Sequence, residues 1–488
     1  MLRPNPHFEE EYLEDSDWSP APRGSDFQAV ARRRLVWTAR ITLAVIAFIT
    51  MFAIWNPQFT DRLRVQSGWV GPIRDLQTPE QRQLTIKLDP LSSVNGLPTD
   101  SFRDNLRPET QYITSWGSGG WSNDVIGTMN LIYLGIITDR VPVLPVFLPS
   151  YFMLNNLGND HSPLPFSDIF DLPRLRRAIK TPIVEWQDVK AQDSMVRDDI
   201  GCWNVWESIQ YHDKNPRKSF GPWYSKLEIS YTKTPEWVKI KKNFEHDRSC
   251  SFWALASLAF PSARNKNLVP PLPTKQNVTL APDEQMVCYD FVYYAAAHQS
   301  DELEQDYSPA WRSVGQHMHW ATRVERLGTE YLRQTLSLDE TEPIPPFIAV
   351  HARHNDFQDW CEEGVPVEDC FAPLSAFQSR VQAVRDEVRQ RKGIEVEHII
   401  MTSDETNHTW WRDVEDLGWR IVDHSRTTEL HGLWYSILID AFIQSRASAF
   451  VGTARSTVST LASRRVQSWQ DGPTIEVKWG KPNADSGD

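Results

Sequence analysis

The stretch Pro346-Phe347-Ile348-Ala349-Val350-His351-Ala352-Arg353 is an apolar run that ends in polar residues. It is typical of a strand that is buried on both faces of a parallel sheet, because such strands show no alternation of polar and apolar residues. Three later runs have the same character: His398–Asp404, Trp419–Asp423 and Ala449–Thr453. Helical patterns separate these runs, at Leu374–Arg391, Leu430–Ser445 and Ser456–Val466. The alternation predicts an α/β fold in which helices cover both faces of a parallel sheet.

The first half of the chain contains one clear βαβ unit. Its strand, glycine-rich turn, helix and second strand are predicted at Tyr112–Trp116, 117–123, Val125–Thr138 and Val141–Val146. A long helix is predicted at Trp311–Leu336, whereas residues 150–310 can be assigned only to the rest of this domain. We therefore expect two Rossmann-like domains with a central cleft, an N-terminal one at 109–335 and a C-terminal one at 336–488.

The N-terminal segment contains an apolar run of 21 residues, Leu35–Trp55, directly after the basic cluster Arg32-Arg33-Arg34. About 20 residues suffice to span a bilayer as a helix, and basic flanks stay on the cytosolic side. The run has no periodic polar face, which disfavours a buried core helix. The 34 residues before it are long for a cleavable signal peptide. We expect a cytosolic tail at 1–34, one transmembrane helix at 35–55 and a stem at 56–108.

Features beyond the apolar run indicate a lumenal body. All five cysteines follow it, and so do two glycosylation sequons, Asn277-Val-Thr279 and Asn407-His-Thr409. Cys361 and Cys370 are close enough in sequence to close a small loop, whereas the other pairings stay open. Disulfides and sequons are typical of the secretory pathway. A single-pass type II protein of the Golgi membrane is predicted, with the endoplasmic reticulum as the alternative.

The composition excludes one class of function. Lys and Arg total 51 against 64 Asp and Glu, which gives a net charge of −13, and no large basic block is present. A nucleic-acid-binding protein is expected to carry a basic face, so no nucleic-acid partner is expected. Hydrophobic residues at 40% and charged residues at 24% fit a packed globular protein.

Ligands of open parallel sheets bind beyond the carboxyl ends of the strands. Four predicted strand ends are followed by clusters of polar or glycine residues that could bind a ligand. They are His351-Ala-Arg353-His354-Asn355-Asp356, Thr402-Ser403-Asp404-Glu405, Gly452-Thr453-Ala-Arg455-Ser456-Thr457 and Gly117-x-Gly119-Gly120-x-x-Asn123. Arg353 offers a planar, permanently charged fork that suits a phosphate, and a helix start such as Ser456 can bind an anion. Three of the clusters also have a plainer explanation, an ion pair at Arg353 or a helix cap at Asp404 and Ser456, and a glycine-rich loop alone is a weak signal. Their occurrence together favours a binding site.

Metal-binding patterns are weak in this sequence. Its only Asp-x-Asp is Asp15-Ser-Asp17, on the predicted cytosolic tail, and His317-Met-His319 lacks an evident third ligand. A nucleotide-sugar enzyme that uses Mg²⁺ or Mn²⁺ is expected to place carboxylates after a strand. Neither the Gly-Lys-Ser/Thr of a P-loop nor the Gly-x-Ser-x-Gly of an α/β-hydrolase occurs. We therefore expect no metal ion.

Together these motifs resemble those of the protein O-fucosyltransferase family, especially its membrane-anchored fungal relatives. The family's His-x-Arg-x-x-Asp is similar to His351, Arg353 and Asp356. Its Gly-Gly-Phe-Asn-Asn-Gln loop is similar to Gly119–Asp124, and its Phe-Val-Gly-Thr-x-x-Ser-Thr segment to Phe450–Thr457. The resemblance covers roughly 110–465. It implies a GT-B fold, GDP-fucose as the donor substrate, inversion at the anomeric carbon and no metal or other cofactor.

The resemblance also implies roles for individual residues. Arg353 would bind the β-phosphate and stabilise the leaving GDP, and Asn123 would face the diphosphate-sugar as the second catalytic residue. The substrate-binding residues that it implies are Gly119, Gly120, His351, Asp356, Asp404, Thr453, Ser456 and Thr457. Ser122 and Asp124 replace an Asn and a Gln of the family. Glu109 and Asp124 are both candidates for a catalytic base.

Three interpretations of function are compatible with the sequence. The first is a membrane-tethered transferase that moves fucose from GDP-fucose to a hydroxyl of a protein or glycan acceptor. The second is a transferase of the same architecture for another nucleotide-sugar. The third is a non-catalytic lumenal protein, lectin-like or a scaffold, which the departures at Ser122 and Asp124 leave open.

Overall fold

The computed structural model describes residues 88–149, 163–210, 215–241, 244, 248–300, 302–305 and 307–485. The predicted cytosolic tail, the transmembrane helix at 35–55 and most of the stem lie outside these residues. Among the helices of the described ranges, none is both long and apolar enough to cross a membrane. Residues 83–488 form one compact unit.

Most strands of this unit are short and buried along their length, as expected where helices cover both faces of a sheet. In chain order they are β1 (Tyr112–Ser115), β2 (Val141–Leu144), β3 (Val184–Glu185), β4 (Asp198–Asn204), β5 (Leu227–Lys233), β6 (Cys250–Ser251), β7 (Met286–Tyr289), β8 (Ala295–Ala296), β9 (Phe347–Ala352), β10 (His398–Ser403), β11 (Arg420–Ile421), β12 (Ala449–Thr453) and β13 (Thr474–Val477).

These strands form two large sheets and a small one in the part of the chain that the structure describes. The first sheet has the order β3-β2-β1-β7-β4-β5, the second has the order β11-β10-β9-β12-β13, and β6 pairs with β8. All of these strand pairs are parallel. The prediction of an α/β fold with parallel sheets is therefore confirmed. The predicted boundary at 335/336 falls between the last strand of the first sheet and the first strand of the second.

The helices are long around the second sheet and mostly short around the first. In chain order they are α1 (Phe102–Asn105), α2 (Trp121–Thr138), α3 (Phe166–Ile169), α4 (Leu172–Ile179), α5 (Trp186–Val189), α6 (Trp206–Ile209), α7 (Gly221–Tyr224), α8 (Phe252–Leu258), α9 (Pro261–Lys266), α10 (Pro309–Ser313), α11 (Thr322–Leu336), α12 (Val367–Cys370), α13 (Leu374–Lys392), α14 (His408–Asp416), α15 (Thr427–His431), α16 (Tyr435–Arg446) and α17 (Thr457–Gln470).

Helix α2 begins four residues before its predicted start at Val125. Its N-cap residue is Gly120, whose backbone is extended (φ −68°, ψ 166°), and Trp121 is the first helical residue. The sequence prediction was late because Ser122, Asn123 and Asp124 are polar and hydrophobic periodicity resumes only at Val125. These polar residues therefore lie on the first helical turn and not in the loop.

The helices predicted at 311–336 and 430–445 are each interrupted. Helix α10 ends at Ser313, and α11 starts only at Thr322. Between them the chain approaches α2 so closely that a Cβ on Gly315 would lie 2.5 Å from Sδ of Met129. Gly432 separates α15 from α16, because its backbone (φ 99°, ψ 168°) is far from helical and is open mainly to glycine.

The predicted stem extends too far along the chain. Residues 88–108 belong to the compact unit, and Val94, Phe102 and Leu106 are buried in one cluster with Tyr112 of β1. Sequence analysis did not recognise these apolar residues as buried, because the segment around them is polar and contains proline. Burial of such side chains contributes roughly 1.5–3 kcal/mol each, which is sufficient to hold the segment on the sheet.

Two disulfides connect residues of the compact unit. Cys361 is bonded to Cys370, as the short spacing predicts, and Cys202 of β4 is bonded to Cys288 of β7. The second bond links neighbouring strands of the first sheet and leaves Cys250 outside both disulfides.

The two large sheets share one hydrophobic core. A single buried cluster contains Trp121 and Trp320 from the first half together with Phe442 and Phe450 from the second. The side chain of Trp320 also donates a hydrogen bond to Ser445 Oγ at 2.9 Å. The carboxyl ends of β1 and β12 are thus parts of one packed body.

Candidate functional site

The glycine turn between β1 and α2 is held from inside by Asp124. Its Oδ1 atom accepts hydrogen bonds from the backbone N–H groups of Ser118 and Gly119, both at 2.9 Å. A Cβ on Gly117 would lie 2.5 Å from Asp124 Oδ2, and one on Gly119 would lie 2.7 Å from Asn123 Cβ. The turn therefore needs glycine at these positions, because the helix side chains fill the space.

The position of Asp124 argues against its candidacy as a catalytic base. The residue is buried, with 8% of its surface exposed. Burial raises its pKa to about 7, although the two backbone N–H groups and the Arg217 charge act in the opposite direction. Its role in the structure is to bind backbone N–H groups.

Glu109, the other candidate base, lies at the opposite edge of the first sheet. It precedes β1, whereas the glycine turn follows that strand. Its side chain is 70% exposed and forms a 3.8 Å ion pair with Arg107. Glu109 is therefore separated from the turn by the whole length of β1.

Strand register brings the polar ends of β9, β10 and β12 together. Ser403 pairs with Ala352, and Val451 pairs with Val350, so Arg353, Asp404 and Thr453 come next to one another at the carboxyl edge. The backbone N–H of Arg353 donates to Thr453 Oγ1 at 2.9 Å. This pairing fixes the starting point of the Arg353 side chain.

The Arg353 guanidinium lies between two carboxylates. Its Nη2 atom is 2.7 Å from Asp356 Oδ1, and its Nη1 atom is 3.2 Å from Asp404 Oδ2. Its Cζ atom also lies 5.6 Å from the centroid of the Phe357 ring. The side chain is 28% exposed, so it is oriented but remains accessible to an anion.

Asp404 holds this arrangement and does not cap the following helix. Its Oδ1 atom accepts the backbone N–H of His354 at 2.8 Å. The cap of α14 is Asn407, which accepts the N–H of Thr409 at 2.8 Å. Both carboxylate oxygens of Asp404 thus face groups of the 353–354 segment.

His351 lies beneath Arg353 as a neutral imidazole. It is 6% exposed, and its Nδ1 atom lies 2.9 Å from Ser459 Oγ. Burial lowers its pKa to about 3, and the charges of Arg353 and His354 act in the same direction. Thr453 Oγ1 donates to the carbonyl oxygen of His351 at 3.0 Å, so both residues support the strand end from within.

The start of α17 meets the glycine turn directly. Thr457 Oγ1 donates to Asn123 Oδ1 at 2.7 Å and lies 2.7 Å from Ser122 Oγ. Ser456 caps the helix, with Ser459 N at 3.5 Å from its Oγ atom. Two sequence clusters that are more than 300 residues apart thus form one junction.

Sequence analysis missed a second arginine beside the glycine turn. Arg217 Nε donates to Ser118 Oγ at 3.1 Å, and Nη2 donates to Ser118 O at 3.2 Å. Its backbone N–H donates at 3.0 Å to Asp290, a carboxyl whose pKa burial raises to about 7. A signal was present, because Asp290 follows the apolar run Met286–Tyr289 as polar residues follow the other strands.

Two further polar groups at the second sheet were not assigned from the sequence. Arg455 is exposed at the start of α17 with φ 66°, and its side chain makes no hydrogen bond or ion pair with the described residues. Beyond β11, His424 Nε2 lies 2.8 Å from Asp440 Oδ1, and this hydrogen bond helps to raise the His424 pKa against the opposing effect of burial.

Within the described ranges, no group of three or more His, Cys, Asp and Glu side chains could hold a metal ion. His319 of the predicted weak pair stacks on Trp469, with ring centroids 4.5 Å apart. Burial lowers its pKa to about 4, and the Arg174 charge acts in the same direction. This histidine is accounted for by packing.

Solved structures of two fucosyltransferases are among those that match this chain. The crystal structure of POFUT1 with GDP-fucose in crystal form I has 16% identity, covers 77% of this chain and 99% of its own, and gives a TM-score of 0.45. The fucosyltransferase NodZ from Bradyrhizobium has 11% identity, with 72% and 93% covered and a TM-score of 0.36. A comparison with curated proteins gave no match.

The sequence model of one family, GDP-fucose protein O-fucosyltransferase, matches residues 112–468. The match begins at β1 and ends in α17, so it includes the glycine turn, Arg353 and the start of the last helix. The chain therefore belongs to the GDP-fucose protein O-fucosyltransferase family and is a glycosyltransferase of the fucosyltransferase type.

Proposed function

We propose that the chain transfers fucose from GDP-fucose to a hydroxyl of a protein or glycan acceptor, with inversion at the anomeric carbon and without a metal ion. The hydrogen bond from Thr457 to Asn123 carries this proposal. It joins the glycine turn of the first sheet to a helix start of the kind that binds phosphate, beside Arg353. The donor occupies this junction between two Rossmann-like halves, in a GT-B arrangement.

The diphosphate is bound by the start of α17 and by Arg353. The first N–H groups of α17 have no partners within the helix, and the helix dipole favours negative charge there. The fork of Arg353 matches two phosphate oxygens. Asn123 Oδ1 accepts from Thr457, so its amide N–H₂ group remains to donate to the sugar or the diphosphate.

Four of the residues that the resemblance assigns to the substrate act by holding Arg353. Asp356 and Asp404 orient the guanidinium, and Thr453 fixes its backbone. His351 supports Thr453 from the interior. In this proposal the donor touches Arg353, Asn123, the glycine turn and the start of α17.

The chemical step needs a cation at the leaving group. The acceptor oxygen attacks the anomeric carbon from the face opposite to the diphosphate, and the bond from that carbon to the β-phosphate oxygen breaks. The electron pair stays on the diphosphate, whose growing charge Arg353 neutralises, and the acceptor proton passes to water. Because Asp356 and Asp404 already orient the guanidinium, little reorganisation is required during the reaction.

Arg353→Ala tests the proposal. Transfer from GDP-fucose, measured with EDTA present, should fall by about 10³-fold, the upper range for removal of one stabilising donor. The melting temperature should stay near that of the wild type, because the side chain is partly exposed. Arg389→Ala is the matched control, since that arginine forms exposed ion pairs with Glu395 and Asp386. Normal turnover by Arg353→Ala would contradict the proposal, as would a strict requirement for Mn²⁺.

The other two interpretations remain testable alternatives. The departures at Ser122 and Asp124 fit an intact site, because Ser122 bonds to Thr457 and Asp124 holds the turn. A scaffold should give no heat of binding with GDP in calorimetry. A transferase for another sugar should hydrolyse a different member of a nucleotide-sugar panel faster than GDP-fucose.

The proposal includes a Golgi membrane location, with the endoplasmic reticulum as the alternative. The disulfides Cys202–Cys288 and Cys361–Cys370 support an oxidising compartment. Both sequon asparagines, Asn277 and Asn407, are exposed. The full chain should resist carbonate extraction from membranes and lose apparent mass on treatment with a glycosidase. Release by carbonate would contradict an anchor at 35–55.

A further inference from the structure

Helix α17 carries a buried arginine, Arg465, for which the described part of the chain supplies no acidic partner. Arg465 is 2% exposed, and its guanidinium is surrounded by aromatic rings. The distances from Cζ to the ring centroids are 4.4 Å for Trp320, 5.8 Å for Trp469, and 5.9 Å for Trp121 and Phe170. Rings from both halves of the compact unit therefore enclose this one cation.

The four aromatic rings around Arg465, here called the aromatic cage, provide neither the hydrogen bonds nor the opposite charge that a buried guanidinium usually has. Among the described residues, none forms an ion pair with Arg465, and its Nε atom has no hydrogen-bond partner. Burial alone lowers its pKa to about 9, which leaves the group charged at neutral pH. An unpaired buried charge costs more free energy than an apolar residue of similar volume, even with cation–π attraction. Stability alone does not explain an arginine here.

One ring of the aromatic cage, that of Trp121, is adjacent in sequence to the residues of the proposed donor site. Trp121 is the first residue of α2, immediately after Gly119 and Gly120 and immediately before Ser122 and Asn123. Ser122 and Asn123 both hydrogen-bond to Thr457 at the start of α17. Helix α17 therefore contacts the first turn of α2 at two positions. One is Thr457, and the other is Arg465, eight residues later.

From this arrangement we propose that Arg465 is a positioning residue for the donor site. It holds Trp121, and through Trp121 the turn that presents Gly119, Gly120 and Asn123, at a fixed position relative to the start of α17. The inference rests on the proposed function of that junction. A displacement of about 1 Å in a positioning group can cost about 10²-fold in rate, which is the size of effect available to this residue.

Arg465→Met tests the inference with Arg464→Met as the matched control. Arg464 is the preceding residue of the same helix and is also buried, but it lies over Trp311 and hydrogen-bonds to Gln467. For Arg465→Met, kcat for transfer should fall at least tenfold, a modest part of the range that misplacement allows. The KM for GDP-fucose and the Kd for GDP should change less than about threefold, and the melting temperature should not fall, because a buried unpaired charge is removed.

The outcomes separate a positioning role from a structural one. Wild-type kcat in Arg465→Met would overturn the inference. Equal losses of kcat in Arg465→Met and Arg464→Met would overturn it too, particularly if both melt earlier. If Arg465→Met does not fold, Trp121→Leu against Trp311→Leu gives the same test from the other side of the contact. Trp121→Leu should then lose kcat at least tenfold more than its control, and equal losses would overturn the inference.

Assays of the wild-type protein distinguish failure of the positioning role from failure of the proposed function on which it rests. If the wild type neither binds GDP nor transfers fucose, the proposed function fails and the positioning role fails with it. If the wild type transfers fucose and Arg465→Met matches it, only the positioning role fails.

Discussion

The two ends of the candidate site hold their key groups in opposite electrostatic ways. At the second sheet, Arg353 is partly exposed and lies between the charged carboxylates Asp356 and Asp404. At the first sheet, the glycine turn is held by Asp124, which is buried and has a pKa raised by burial to about 7. An incoming diphosphate can compete for the exposed guanidinium but not for the buried hydrogen bonds. Changes at Arg353 should therefore affect transfer more than folding, and changes at Asp124 should affect both.

After Arg353→Ala, the largest expected effect is that of Arg353→Lys. A single ammonium group cannot reproduce a planar fork that contacts Asp356 and Asp404 and still offers N–H groups to a diphosphate. We expect kcat for transfer to fall by about 10²-fold. The melting temperature should change by less than about 2 °C, because partly exposed ion pairs add little stability. Arg389→Lys should leave both quantities unchanged, and a kcat for Arg353→Lys close to wild type would contradict the need for a fork.

The next effect is that of Asp124→Ala at the buried end. The change leaves the N–H groups of Ser118 and Gly119 without their acceptor. The free energy of unfolding, measured with urea near pH 4, where Asp124 is protonated in the folded chain, should fall by about 2–3 kcal/mol, since two partly buried N–H groups lose their acceptor at about 1–3 kcal/mol each. Transfer by the folded protein should fall about tenfold through displacement of the turn.

Glu109→Ala is the control for this change, because that side chain is exposed and lies at the other edge of the sheet. It should alter the free energy of unfolding by less than about 0.5 kcal/mol and leave transfer intact. Loss of transfer in Glu109→Ala would contradict the placement of the site and restore Glu109 as a candidate base.

The two sheets also differ in how well the sequence predicts the helices around them. Around the second sheet, α13, α16 and α17 are 12 to 19 residues long, so their periodicity and the strands between them were recognisable. Between β2 and α11 the helices have only four to eight residues, which is too short for a periodic signal. Arg217 and Asp290 lie in that stretch and were missed. Topology did predict that Thr457 and Asn123 both lie beyond the carboxyl ends of parallel strands, whereas the hydrogen bond between them is known only from the structure.

Roles within the site were less predictable than its location. The resemblance assigns Asp404 to substrate binding, and register places it beside Arg353 and the His354 N–H. Sequence shows that a carboxylate follows a strand, but not which neighbouring donor it meets. Cross-strand pairing and side-chain direction decide this, and both are tertiary properties.

The third prediction concerns pH. An unfolded Asp titrates near 3.9, whereas the pKa of Asp124 in the folded chain is about 7. Between these values the folded chain keeps a proton that the unfolded chain has lost. The contribution of Asp124 to stability is therefore full below about pH 4 and is lost as the pH rises through 7, a change of about 4 kcal/mol. Asp124→Asn can still accept both N–H groups through its oxygen but does not titrate.

The measurement is the difference in free energy of unfolding between the wild type and Asp124→Asn from pH 4.5 to 8. The variant should gain relative to the wild type as the pH increases, while their difference becomes constant above pH 8. Parallel curves across this range would show that Asp124 is not protonated in the folded protein at neutral pH.

The smallest expected effect is that of Arg455→Ala. This side chain is exposed next to Ser456, and no described residue pairs with it. An exposed cation near the phosphate-binding helix start should attract the donor only through solvent, where salt screens the interaction over about 8–10 Å. We expect KM for GDP-fucose to rise about threefold at low salt and the difference to vanish near 0.5 M NaCl, with kcat unchanged. Arg426→Ala, which removes an exposed cation paired with Glu429, should change neither constant. A fall in kcat that persists at high salt would instead place Arg455 beside Arg353 as a second cation acting on the leaving diphosphate.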